Sequence, residues 1–272
     1  MRALSRWARW SLAFYRRDLL TELSYRTNFF FGLAGGLFSI LTFYFLSFVV
    51  ESGAPGLSRF RGGYFAFVLL GLAASALLRE ALGGFAARVR QAQLTGTLEV
   101  VLATPISPAA VILCASIYPL WSASLRAGLY LVFGWALFSA ELSLAHWPAA
   151  LAALALGVTS FAAIGILSAS ATMILKRGDP VAWSVGALSL LLGGVYYPVE
   201  ILPEPLRSLA DWLPITHTLT ALREALLGQA GPALPRALLL LALFCVVLLP
   251  VALVAFTLAV RRARREGSLT HF

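Results

Sequence analysis

Long apolar stretches alternate with short polar ones along this chain. Residues 27–50 form a run of 24 without a single charge, and further apolar runs cover 62–78, about 109–140, 148–175, 181–197 and 237–260. About 20 residues at 1.5 Å rise cross a hydrocarbon core of roughly 30 Å. The pattern therefore predicts an all-α membrane protein with six transmembrane helices, organised as a single domain over residues 1–272. Pro119 should kink the third run and Pro250 the sixth, because proline removes a helical donor and crowds the preceding turn. In the fourth run Ala153, Gly157, Gly165 and Ala169 recur at multiples of four, a spacing that lets another helix approach closely.

Three of the polar stretches are long. In residues 1–26, placed on a helix at about 100° per residue, Arg2, Arg6, Arg9, Arg16 and Arg17 fall within an arc of about 100°. Leu4, Trp7, Trp10 and Phe14 fall on the other side, which predicts an N-terminal amphipathic interfacial helix. Residues 79–108 carry Arg79, Glu80, Arg88, Arg90, Gln91, Gln93 and Glu99, too many charged and polar groups for hydrocarbon. Gly83-Gly84 should break this stretch early and Thr95-Gly96-Thr97 again, with Pro105 and Pro108 closing it. A short helix over 85–94, with Phe85, Val89 and Leu94 near one side, is expected between the breaks. It serves either as a surface for a partner or as a solvated connector. Residues 198–236 interleave Pro198, Pro203, Pro205 and Pro214 with leucines, a pattern of short amphipathic helices that dip into one interface without crossing.

Composition agrees: 60% of the residues are hydrophobic and 12% charged. The net charge of +9 does not point to nucleic acid, because the arginines flank apolar runs instead of lining one soluble face. With the N-terminus inside, fifteen of the 21 basic residues fall in inner segments, five in outer ones, and Arg126 lies inside the third run. This bias puts both termini and 79–108 in the cytoplasm, and 198–236 outside. Cys114 and Cys245 sit in apolar runs, and the three histidines are scattered, so neither a disulfide framework nor a metal site is assigned.

Bond-making chemistry is poorly represented. The one lysine, Lys176, lies between Leu175 and Arg177, whereas a phosphate-cradling loop needs Gly-Lys-Ser/Thr. The predicted spans hold no Asp or Glu, which argues against an ion-coupled carrier. Arg126 is the one charge assigned to a span. It either contacts an anionic substrate or lipid group, or snorkels and pairs with a hydroxyl such as that of Ser122 or Tyr130.

Leu94-Thr95-Gly96-Thr97-Leu98-Glu99, followed by Leu102-Ala103-Thr104-Pro105, resembles the loop of ABC-2-type permeases, the membrane subunits of ATP-binding-cassette exporters. Gly193-Gly194-Val195-Tyr196-Tyr197-Pro198, then Leu202-Pro203 and Leu213-Pro214-Ile215-Thr216 running to Leu222-Arg223-Glu224, is similar to that family's fifth-span end and external re-entrant segment. The resemblance implies a cytoplasmic coupling helix between spans 2 and 3, using Phe85, Arg88, Val89, Leu94, Gly96, Thr97 and Glu99 against an ATPase subunit. It implies a second permease subunit, as a homodimer, and two ABC ATP-binding subunits that carry ATP and Mg. It implies no catalysis by this chain and a place in the bacterial plasma (inner) membrane, among membrane lipids. Arg126, Tyr196 and Tyr197 are candidates for the substrate pathway, for cargo such as a drug, lipid or lipid-linked polysaccharide. An ion-gradient-driven carrier without an ATPase, and a membrane scaffold, are the alternatives.

Overall fold

In a computed structural model, the described residues are 10–20, 26–50, 62–94, 108–138, 142–143, 145–175, 179–228 and 231–265. Every regular element among them is helical. In chain order these are α1 (residues 10–20), α2 (Arg26–Val50), α3 (Gly63–Leu94), α4 (Pro108–Ala115), α5 (Ile117–Phe138), α6 (Trp147–Leu175) and α7 (Pro180–Leu192). A 3-10 turn (Val199–Ile201), α8 (Glu204–Ala210), α9 (Pro214–Leu226) and α10 (Ala233–Arg265) complete the chain. Within these, 30–50, 63–92, 147–174 and 233–263 are long and apolar enough to cross a membrane.

The bundle is organised around α3, 32 residues long. It packs along α6 and α5, and α6 in turn lies against α10. Small residues set these distances. A Cβ on Gly165 of α6 would stand 2.5 Å from the backbone carbonyl oxygens of Ala81 and Leu82, and one on Gly157 would stand 2.5 Å from the Thr218 hydroxyl of α9. Ala153 and Ala169 are fully buried. The four-residue spacing therefore does the packing expected of it.

Three boundaries differ from expectation. First, Gly83-Gly84 does not break the chain: α3 runs straight through to Leu94. Each glycine costs a helix about 1 kcal/mol, but the apolar face continues past them. Leu78, Leu82, Phe85 and Val89 are all buried, and burying such side chains is worth about 1.5–3 kcal/mol each. The separate helix over 85–94 is thus the last third of α3. Second, the third apolar run is two helices, parted at Ser116. Pro119 has no N–H to offer the Ala115 carbonyl, so the helical ladder fails there. Third, α7 stops at Leu192 after 13 residues, about 20 Å at helical rise and too short to cross alone. Gly194 adopts φ +76°, a left-handed backbone that glycine accepts freely, and the chain turns at 193–197. Pro250 is accommodated inside α10.

Asp18 of α1 contacts Arg88 near the Leu94 end of α3. Ala259, Val260 and Ala263 of α10 join Phe85 and Val89 in one cluster. At the other end of α3, Tyr64, Phe67 and Leu70 share a core with Ile215, Leu219 and Leu222 of α9. The N-terminal helix and the basic end of α10 therefore gather at one end of the bundle, and the 193–226 segment at the opposite end.

Candidate functional site

Two charged constellations lie inside this apolar bundle. The first grows from one face of α3. Glu80 and Arg88 are two turns apart and would be separated by any side chain at 84. Gly84 leaves the gap open, since a Cβ there would stand 2.9 Å from Glu80 Oε1. Glu80 reaches Arg88 at 3.9 Å on one side and Arg126 of α5 at 3.9 Å on the other. Arg88 also donates to Asp18 at 3.3 Å and to the Ala115 carbonyl. That carbonyl is the one Pro119 leaves without a helical donor, so the proline and the arginine complete each other.

This chain of charges corrects two expectations. Glu80 is not in a loop but within α3, a helix long and apolar enough to cross a membrane. Arg126 pairs with that carboxylate and not with a neighbouring hydroxyl. Assigning Glu80 to a loop hid the pairing. The available signal was the helical spacing of Glu80, Gly84 and Arg88.

A cavity of ≈ 440 Å³ opens beside the pair, lined by Gly32, Ala76, Arg79, Glu80, Gly83, Gly84, Ala87, Arg126 and Tyr130. Glycines and alanines make up most of its wall, and a Cβ added at Gly32 or Gly83 would meet nothing within 4 Å. Tyr196 and Tyr197 are not part of this lining. Tyr196 stacks on Phe43 of α2, with ring centroids 5.2 Å apart, and the Tyr197 hydroxyl donates to the Leu191 carbonyl. The three residues assigned to the pathway do not converge: Arg126 faces the cavity while the two tyrosines hold the α7 turn.

The second constellation is Arg223. It falls in the 198–236 segment that the charge bias places outside, yet it is 4% exposed and belongs to α9, which is buried almost throughout. Its guanidinium donates to Gly194 O at 2.7 Å, Phe67 O at 3.1 Å and Val195 O at 3.2 Å. It also lies 3.3 Å from the centre of the Phe67 ring. Carbonyls of the 193–197 turn, left without helical donors, thus receive a charged donor in a dry site. Gly71 permits the approach, because a Cβ there would overlap the Val195 carbonyl. The helix-period placement of Arg223 among Leu219, Leu222 and Leu226 was the signal for burial.

The expected coupling residues divide. Phe85 is 2% and Val89 6% exposed, packed against Ala163, Ile166, Ala169 and Phe256. They are core residues joining α3 to α6 and α10, not anchors open to a partner. The sequence pattern misled because an apolar stripe looks the same whether it faces a partner or the chain's own helices. Leu94 is 61% exposed. Gly96, Thr97 and Glu99 lie outside the described residues, as do Arg2, Arg6, Arg9, Leu4 and Trp7 of the N-terminal segment. In α1, Tyr15 meets Tyr118 and Trp121 edge-on at 5.4 and 5.7 Å.

The described residues form a helical bundle in which several helices are long and apolar enough to cross a membrane, with α9 buried at one end, and that is the frame of a multi-pass membrane protein. Residues 13–227 match the ABC-2 type transporter family, and the chain belongs to that family. No curated relative matches the chain.

Proposed function

We propose that this chain is the permease of an ATP-driven exporter, moving an amphipathic substrate from the cytoplasm or the inner leaflet outward. Membership of the ABC-2 type transporter family carries the reading. The sequence holds no Gly-Lys-Ser/Thr, so hydrolysis is assigned to a separate ATP-binding subunit. Two copies of each would form the working unit, with six crossings per permease, the fifth completed by α7 together with the turn that follows it, and both termini in the cytoplasm of a bacterial cell.

The geometry suggests how force enters. Helix α3 is continuous from Leu94 to Gly63. Arg90, Gln91 and Leu94 are exposed at one end, and Gly96, Thr97 and Glu99 follow in sequence. A push there is received by Phe85 and Val89, which are keyed into α6 and α10, and passes along α3 to the Arg223 clamp. In this reading Phe85 and Val89 transmit, while Leu94 and the residues after it touch the partner.

Gentle solubilisation from the native membrane, followed by capture of this chain, should bring down a protein with a P-loop. ATP hydrolysis by the reconstituted pair should rise over that of the ATP-binding subunit alone, and Leu94→Glu should lower the rise without altering insertion. Recovery of the permease with no ATP-binding protein would favour the ion-driven alternative, which Glu80 inside α3 keeps open.

A further inference from the structure

The cavity beside Arg126 brings two arginines and one carboxylate to a single opening in the bundle. Arg126 is a guanidinium with five N–H donors, in a side chain 25% exposed. Among the described residues its one charged contact is Glu80 at 3.9 Å, beyond hydrogen-bonding reach. Glu80 is also shared with Arg88 at the same distance. Arg79, the neighbouring residue on α3, is exposed and lines the same cavity. It has no ion pair among the described residues. Arg79, Glu80 and Arg126 leave the cavity one positive charge in excess, with donors unspent.

Depth and shape narrow the ligand. Glu80 follows Gly63 by 17 residues, about 25 Å along the helix axis. In a hydrocarbon core of roughly 30 Å that position is close to the far headgroup boundary. The volume of ≈ 440 Å³ lies in the range of small-ligand sites, roughly 300–1,000 Å³. Gly32 puts one wall on α2, and Phe31 beside it is 78% exposed. An anionic head fits between the arginines, with its apolar tail leaving the cavity along α2. Guanidinium forks match phosphate oxygens in geometry and charge.

We propose that the cavity between α2, α3 and α5 binds the phosphate group of an anionic amphiphile, with Arg126 and Arg79 as its donors. The site stands on the cavity alone and does not require the export reading. Binding by the isolated chain and capture of an ATP-binding subunit are therefore separate outcomes.

The test is thermal unfolding of the full chain in a neutral detergent, titrated with dihexanoylphosphatidic acid, with inorganic phosphate and with uncharged dihexanoylglycerol. Dihexanoylphosphatidic acid should raise Tm saturably and dihexanoylglycerol should not. A rise with the lipid well below the concentration needed for inorganic phosphate identifies a lipid-type headgroup. Equal potency identifies a free phosphate as the source, and the amphiphile part of the proposal then fails. Arg126→Gln and Arg79→Gln should each weaken binding by about tenfold, the order expected for losing a charge-assisted pair. Gly83→Leu, which fills the cavity, should abolish binding, and Arg236→Gln should leave it unchanged. Arg126→Lys should keep part of it. If Arg126→Gln does not accumulate, Arg79→Gln and Gly83→Leu decide the matter. No saturable rise with either phosphate probe, or the same half-saturation in these variants as in the unaltered chain, overturns the proposal.

Discussion

Arg223 shows how a charge can stabilise an apolar interior. Its guanidinium satisfies carbonyls on α3 and on the 193–197 turn, and Phe67 covers its face. Arg223→Met keeps the length of the side chain and removes the donors. Because unpaired buried acceptors cost about 1–3 kcal/mol each, the variant should lose about 3 kcal/mol or more. Thermal unfolding in detergent measures this, and an unchanged Tm would remove the clamp from the account. Phe85→Ala tests the other revised assignment. A phenyl group 2% exposed costs about 3–5 kcal/mol when truncated to alanine in a core. A partner anchor would instead lose affinity for the ATP-binding subunit while the permease kept its Tm.

Among the elements, α3 departs furthest from its hydropathy profile. The glycine pair reads as a break, yet the helix passes through it because the buried face of Leu78, Leu82, Phe85 and Val89 is uninterrupted. Gly83→Ala separates the two descriptions by sign. In a continuous helix with open space beside it, alanine should stabilise by about 0.5–1 kcal/mol, whereas in a required break it should destabilise. Chemical denaturation of the pair resolves them. The α6–α3 contact is the opposite case. At Gly165 the neighbours are the Ala81 and Leu82 backbone carbonyls, which cannot rotate aside. Gly165→Val should therefore cost about 1–3 kcal/mol through overpacking, read as a lowered Tm. A neutral result would mean that the helices are farther apart than described.

At the scale of the whole molecule, the two ends of the bundle differ in kind. One gathers α1, the Leu94 end of α3 and the basic end of α10; the other holds the segment pinned by Arg223. Gln91 and Asp211 are exposed at these opposite ends. With Cys114 and Cys245 replaced by alanine, a cysteine at 211 should react with an impermeant thiol reagent on intact cells, and one at 91 only after lysis. The reverse pattern would invert the proposed orientation and separate Leu94 from any cytoplasmic ATPase. The large apolar side chains left open on α2 and α10, such as Phe38, Phe45, Leu243 and Val246, have the chemistry of lipid-facing surface.

Much of this was legible along the chain. Apolar runs announced the helices, because crossing a membrane requires length and hydropathy, and both are sums over consecutive residues. The loop and re-entrant motifs announced the family for the same reason. The sequence also determined that most of the arginines flank apolar runs. What the tertiary structure decided was sideways: that Glu80 bridges Arg88 and Arg126, that Phe85 faces inward, and that Arg223 is buried against Phe67. A helical residue can turn toward lipid, partner or neighbouring helix at nearly equal local cost. Only the packing of α3 against α5, α6, α9 and α10 selects among those directions, and that selection also opens the cavity between α2, α3 and α5.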